Sequence, residues 1–125
     1  MEQTYIVKVS TEGIVTREPF NAADSLKQLQ TAVGGYIELV PIRLKGQRDL
    51  FVDEEGKLKR LPLNMVLTDF FAATEGNKGG LGYFYLNGPG VFAAHDDEGN
   101  NLGLPAEECA EIEADLANFG GIVRK

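Results

Sequence analysis

The chain has 125 residues, room for one domain but not for two with comfortable cores, and its 43% hydrophobic and 25% charged residues are those of an ordinary globular protein. Its apolar stretches are strand-length and broken by Glu38, Pro41 or Thr68, which excludes a membrane span. A net charge of −7 argues against direct DNA binding or broad attachment to anionic membranes, both of which need many Lys and Arg contacts.

Tyr5 to Val9 alternates as a half-buried strand does, with Tyr5, Val7 and Val9 on one side and Ile6 and Lys8 on the other. Ser10 to Gly13 is a turn, Ile14 to Glu18 the return strand of a hairpin, and Pro19 its end. Asn21 suits the N-cap of a first helix, with Asp24 in the first turn and Leu26, Leu29 and Val33 at helical spacing. Gly34-Gly35 supplies a left-handed exit, and Tyr36 to Val40 then reads as a central strand that meets an edge or bulge at Pro41.

Leu50 to Asp53 and Lys57 to Arg60 read as two arms of a hairpin around Glu54-Glu55-Gly56. Asn64 is a second N-cap, opening an apolar helix from Met65 to Ala73 with Val66, Phe70 and Ala73 on one side. A polar, glycine-rich loop follows from Thr74 to Gly80. Tyr83 to Leu86 and Val91 to Ala94 are strands on either side of the Asn87–Gly90 turn, and Asp96 to Asn101 is another turn. Pro105 fits the first position of a last helix, whose apolar stripe is Cys109, Ile112, Leu116 and Phe119 and whose end is Gly120-Gly121. This order predicts a single α+β domain over residues 1–125, a mixed, mostly antiparallel sheet with about three helices packed on it.

Few residues are candidates for chemistry. One cysteine cannot form an intramolecular disulfide and one histidine cannot anchor a Cys/His metal set. With a strand beginning at Tyr5 and no signal peptide before it, the expectation is a cytoplasmic protein. His95 is followed by Asp96, which on a strand points to the opposite face, so only Asp97 has the phase to orient it, and no Ser or Cys stands in a nucleophile context. Cys109 lies on the apolar stripe among Glu107, Glu108 and Glu111, surroundings that raise a thiol pKa rather than activate it. The acidic run from Asp96 fails the calcium-loop register, because Asn101 stands where the loop needs Gly. Neither a metal nor a cofactor is expected.

The glycines carry more. Gly76, Gly79, Gly80, Gly82, Gly88 and Gly90 crowd around Tyr83, Phe84 and Tyr85, without matching the phosphate-loop or dinucleotide patterns. Glycine lets a backbone approach closely, free N–H groups cradle phosphate, and aromatic faces stack on bases. Arg43, Lys45, Arg48, Lys57, Lys59 and Arg60 cluster mid-chain, so an anionic nucleotide is one expected ligand. Its candidate contacts are Lys57, Lys59, Arg60 and Asn64, with Tyr83, Tyr85, Asn87, Gly88, Gly90 and His95. The competing account is that the glycines only punctuate short strands and the aromatics fill the core. The acids of the last helix allow a third reading, a carboxylate array that occupies a basic protein site, against the plainer one of a solvated face.

Three segments, LKQLQTAVGGYIELVPI (26–42), VDEEGKLKRLPLN (52–64) and GPGVFAAHDDEGNN (88–101), together resemble an uncharacterised family of small α+β domains, a domain of unknown function common in phages, plasmids and bacterial mobile elements. The stretch from Thr74 to Gly82 is longer than that family's usual connection. The resemblance implies a non-enzymatic accessory protein with an anti-defence role and brings no catalytic residues with it. The targets it implies are a nucleotide immune signal held by sequestration or a host defence protein blocked by the acidic face. A small nucleotide-processing enzyme remains the alternative. Binders of this kind often build pockets at subunit interfaces, so a homo-oligomer is also expected.

Overall fold

The computed structural model describes residues 2–75 and 85–124. Seven strands form one sheet in the order β3-β4-β5-β1-β2-β7, with β6 paired to β5. Strands β1 (Tyr5–Val9) and β2 (Ile14–Pro19) make the antiparallel hairpin read from the alternation, and β1 also pairs antiparallel with β5 (Gly90–His95). β5 pairs on its other side with β4 (Arg48–Asp53), which carries the edge strand β3 (Ile37–Leu39). The short β6 (Asn101–Leu102) lies against the end of β5, where Tyr5 bridges to Leu104. The only parallel pairing among the described residues joins β2 to β7 (Ile122–Val123). The architecture is therefore α+β, a mixed and mostly antiparallel sheet with three helices.

Helices cover both faces, which corrects the half-buried reading of β1. Ile6 faces α1 (Ser25–Val33) with Leu29, Val33, Phe51 and Val91, while Val7 and Val9 face α2 (Met65–Glu75) and α3 (Ala106–Ala117) with Leu50, Phe92, Ile112 and Leu116. Ile6, Val7 and Val9 are all fully buried. A sheet covered on both sides loses the clean alternation that a solvent-facing side would impose.

Helix ends follow local chemistry. The Asn21 side chain accepts from the Ala23 N–H and caps a one-turn lead-in at 22–24, and Gly34 ends α1 in the left-handed region at φ +84°. Asn64 caps α2 by accepting from the Leu67 N–H at 3.1 Å. Along α2 the buried side is Val66, Leu67, Thr68 and Phe70, whereas Ala73 is exposed. α3 buries Cys109, Ile112 and Leu116 as its stripe predicted.

Three strand expectations change. Residues 36–40 form an edge rather than a central strand, since β3 pairs only with β4. Lys57 to Arg60 is not the return arm of a hairpin. The chain after β4 coils through consecutive turns, with Lys59 N–H bonded to the Glu55 carbonyl and Leu61 N–H to that of Gly56. Arg60 takes a left-handed conformation at φ +55° in this coil. Of the strand expected at Tyr83 to Leu86, Tyr83 and Phe84 lie outside the described residues, as does the glycine cluster at 76–82, while Tyr85 and Leu86 are not in a strand. β6 and β7 were not foreseen.

Candidate functional site

The central cations separate in space. Arg43, Lys45 and Arg48 sit before or at the start of β4, and Lys57, Lys59 and Arg60 follow its end. Six residues of extended chain put about 17 Å between the two groups. The second group is the one the expected site relies on.

That site forms a corner where the 54–60 turns meet residues 85–87. A cleft of about 250 Å³ there is lined by Glu38, Val52, Lys57, Leu58, Tyr85 and Asn87, among others. Lys57 donates from Nζ to the Asn87 side-chain oxygen at 3.0 Å and to the Tyr85 carbonyl, so this lysine joins the two walls. Asn87 in turn donates to the Leu61 carbonyl at 3.0 Å. Leu58 is 82% exposed and Tyr85 is exposed as well, which sets apolar surface beside the charged groups of the cleft.

Lys59 has a different task. Its Nζ lies 2.8 Å from Asp53 Oδ2 and 3.5 Å from the Gly34 carbonyl, so its positive charge stands at the C-terminus of α1, where the helix dipole favours it. The pair crosses directly over Gly35, and a Cβ at that position would meet the Asp53 carboxylate and the ammonium at 2.8 Å. Burial alone would push the Asp53 carboxyl up, but Lys59 and the Glu55 N–H hold it below the usual carboxylate range, and Asp53 raises Lys59 in return.

Asn64, Gly88 and Gly90 are interior and do not face a ligand. The Asn64 amide donates to the carbonyls of Val9, Ser10 and Gly88 at 3.1–3.2 Å, tying the β1–β2 turn and the entry to β5 to α2. Gly88 is buried at φ +84°, and a Cβ on Gly90 would collide with Leu67. Tyr83 falls outside the described residues. Of the expected contacts, Lys57, Tyr85 and Asn87 line the cleft, Lys59 lies beside it in its pair with Asp53, and Arg60 is exposed at the end of the same turns.

His95 is elsewhere and does have an orienting partner. Its Nδ1 lies 2.8 Å from Oδ2 of Asp49, which faces the same side of the sheet from the neighbouring strand. The reading that left only Asp97 in phase missed a cross-strand neighbour 46 residues away. Asp97 instead accepts from the Gln47 amide at 2.8 Å.

The acids of α3 are largely spent inside the fold. Arg17 forms a two-pronged pair with Glu113, at 2.8 and 2.6 Å, and stacks over the Tyr5 ring. Arg48, its side chain only 8% exposed, reaches Glu108 at 2.9 Å and Glu111 at 2.5 Å. Burial opposes the charge on Arg48, but its bonds to Glu111 and Glu108 outweigh this and keep it firmly protonated. Cys109 is fully buried beneath this layer, and burial above all, with Glu113 and Glu108, pushes its thiol up to about 11. No group of residues suited to a metal ion occurs among the described residues.

Fold and corner together give a small α+β domain with an open, mixed-charge cleft at its surface. The chain belongs to the family described as a domain of unknown function, DUF3846, whose model matches residues 4–117. No curated protein and no solved structure matches it. No helix among the described residues is long and apolar enough to cross a membrane.

Proposed function

We propose that this is a non-enzymatic accessory protein of a phage or mobile element that sequesters an anionic nucleotide immune signal at the Lys57–Tyr85 corner. The observation that carries the reading is the cleft itself, where the Lys57 ammonium, held in place by Asn87, and the exposed faces of Leu58 and Tyr85 supply a charge and an apolar surface within one concavity. Its 250 Å³ is below the usual 300–1,000 Å³ of small-molecule pockets, so it accommodates one base or one phosphate of a larger signal. A second copy of the chain completes the site in this proposal, which makes a homo-oligomer part of it.

The test is incubation with cyclic oligonucleotides and cyclic ADP-ribose isomers. A bound signal raises the melting temperature, because a ligand specific to the folded state stabilises it by mass action. Heating then releases the ligand unchanged on chromatography. Absence of any shift across the panel overturns sequestration, and a chemically altered ligand overturns the non-enzymatic part. The rival idea, an acidic face that blocks a host protein, has less to stand on, since Glu108, Glu111 and Glu113 are already paired with Arg48 and Arg17.

A further inference from the structure

The opposite end of β4, on the α1 side of the sheet, carries a second set of polar groups that the corner does not use. Asp49, His95 and Asn101 come from three neighbouring strands. Asp49 stands opposite Ala93, His95 follows two residues along the same face, and Asn101 is the cross-strand partner of His95. Side chains so placed lie side by side, with directly opposed Cβ atoms about 5 Å apart. With Leu39, Phe51 and Gly99 they line an open cleft of about 330 Å³.

Hydrogen bonding fixes what this cleft offers. The 2.8 Å contact aims Nδ1–H of His95 at the Asp49 carboxylate and turns Nε2 away from it, toward the cleft. The His95 side chain is 38% exposed while Asp49 is 11% exposed, so the pair presents the ring and shields the acid. Among the described residues nothing pairs with Nε2 or with the Asn101 side-chain amide. The cleft thus displays Nε2 of His95 beside the donor and acceptor of Asn101, next to the apolar surfaces of Leu39 and Phe51.

Charge narrows the ligand. Asp49 and Asp96 are the acids next to the imidazole, and Arg48, adjacent to Asp49 in the chain, is committed to Glu108 and Glu111 on the other face. Asp96 is itself held ionised by the side chain and N–H of Asn100 and the N–H of Glu98. Such a field repels phosphate.

We propose that Asp49, His95 and Asn101 form a binding site for an uncharged planar heterocycle of the nucleobase class, read along an edge that sets a donor beside an acceptor. Asn is suited to such an edge because its amide offers both partners in one plane. The site is independent of the Lys57 corner, which lies at the other end of β4 and shares no lining residue with it.

Because His95 is the only histidine, its side-chain nitrogens give an unambiguous signal in long-range proton–nitrogen spectra of the full chain. Titration with adenosine, guanosine, cytidine and uridine should move the Nε2 resonance saturably for at least one of them. The matching 5′-diphosphate should bind about tenfold more weakly or worse, as should nucleoside binding to Asn101→Ala and to the near-isosteric Asn101→Asp. Lys57→Ala should bind the nucleoside like the parent, which separates this site from the corner. The proposal is overturned by no saturable shift from any nucleoside up to about 10 mM, by unchanged affinity in both Asn101 variants, or by diphosphates that bind as well as nucleosides.

Discussion

The two sides of the sheet treat their polar groups in opposite ways. On the side covered by α2 and α3, the side chains of Asn64, Thr68, Arg17 and Arg48 are turned inward and bonded to other elements, so each one ties segments together. On the α1 side, His95 and Asn101 stand at a strand end and face an open cleft. A buried polar group must find a partner within the protein, since leaving it unmade costs about 1–3 kcal/mol. Groups satisfied in that way have little left to offer a ligand. The difference therefore sorts candidate residues by what already occupies their donors and acceptors, and it moves Asn64 from binding to architecture.

The sharpest way to break this contrast is Asn64→Ala. The change removes the α2 cap and strips an amide donor from the buried carbonyls of Val9 and Gly88. A lost N-cap costs about 1 kcal/mol and each of the two orphaned buried acceptors about 1–3, so a total loss of about 3–7 kcal/mol is expected in urea unfolding. A loss under about 1 kcal/mol would show that these bonds do not hold the turn, and would return Asn64 to the list of groups free for function.

Asp53 and Lys59 lie between the two regimes, with a buried acid joined to an exposed base. Asp53→Asn should cost about 1–3 kcal/mol near neutral pH, the worth of a charge-assisted bond. The sign of its pH dependence follows from a carboxyl depressed in the folded state. Its contribution is fully present above the unfolded carboxylate value, about 3.9, and is lost as pH falls through the lower folded value. The stability gap between parent and Asp53→Asn should therefore narrow on acidification below about pH 4. A gap that stays constant from neutral pH down to about 2 would remove the ion pair as its source.

How much of this was readable from the chain depends on distance along it. The β1–β2 hairpin, the Gly34 exit, the Asn64 cap and the α3 stripe are set by residues within one or two turns of each other, and each was legible. The misreading at 57–60 arose because Gly56 suits a hairpin loop equally well. The chain coils there because Asp53, Glu55 and Gly56 bond locally, and Gly56 packs against the Asn87 carbonyl with no room for a Cβ. The site partners were least legible. Asp49 is 46 residues from His95 and Glu113 is 96 from Arg17, and no local pattern announces pairs that strand order alone creates. Nor does any spacing rule separate Lys57 from Lys59, one bridging to Asn87 and the other sealing a helix end.

The smallest expected effect is also the cleanest check on the acidic helix. Glu107 and Asp115 are the exposed acids of α3 with no bond to the sheet among the described contacts, whereas Glu108 and Glu111 are held by Arg48. Reversing the first two to lysine should change stability by less than about 0.5 kcal/mol, as for ordinary surface positions. Reversing Glu108 and Glu111 should cost several times more, because two lysines would then face a guanidinium that is largely buried. Equal effects from the two double variants would mean that the Arg48 bonds contribute nothing measurable, as many surface ion pairs do not. The four carboxylates would then form one solvated face after all, and the acidic-inhibitor reading would regain its surface.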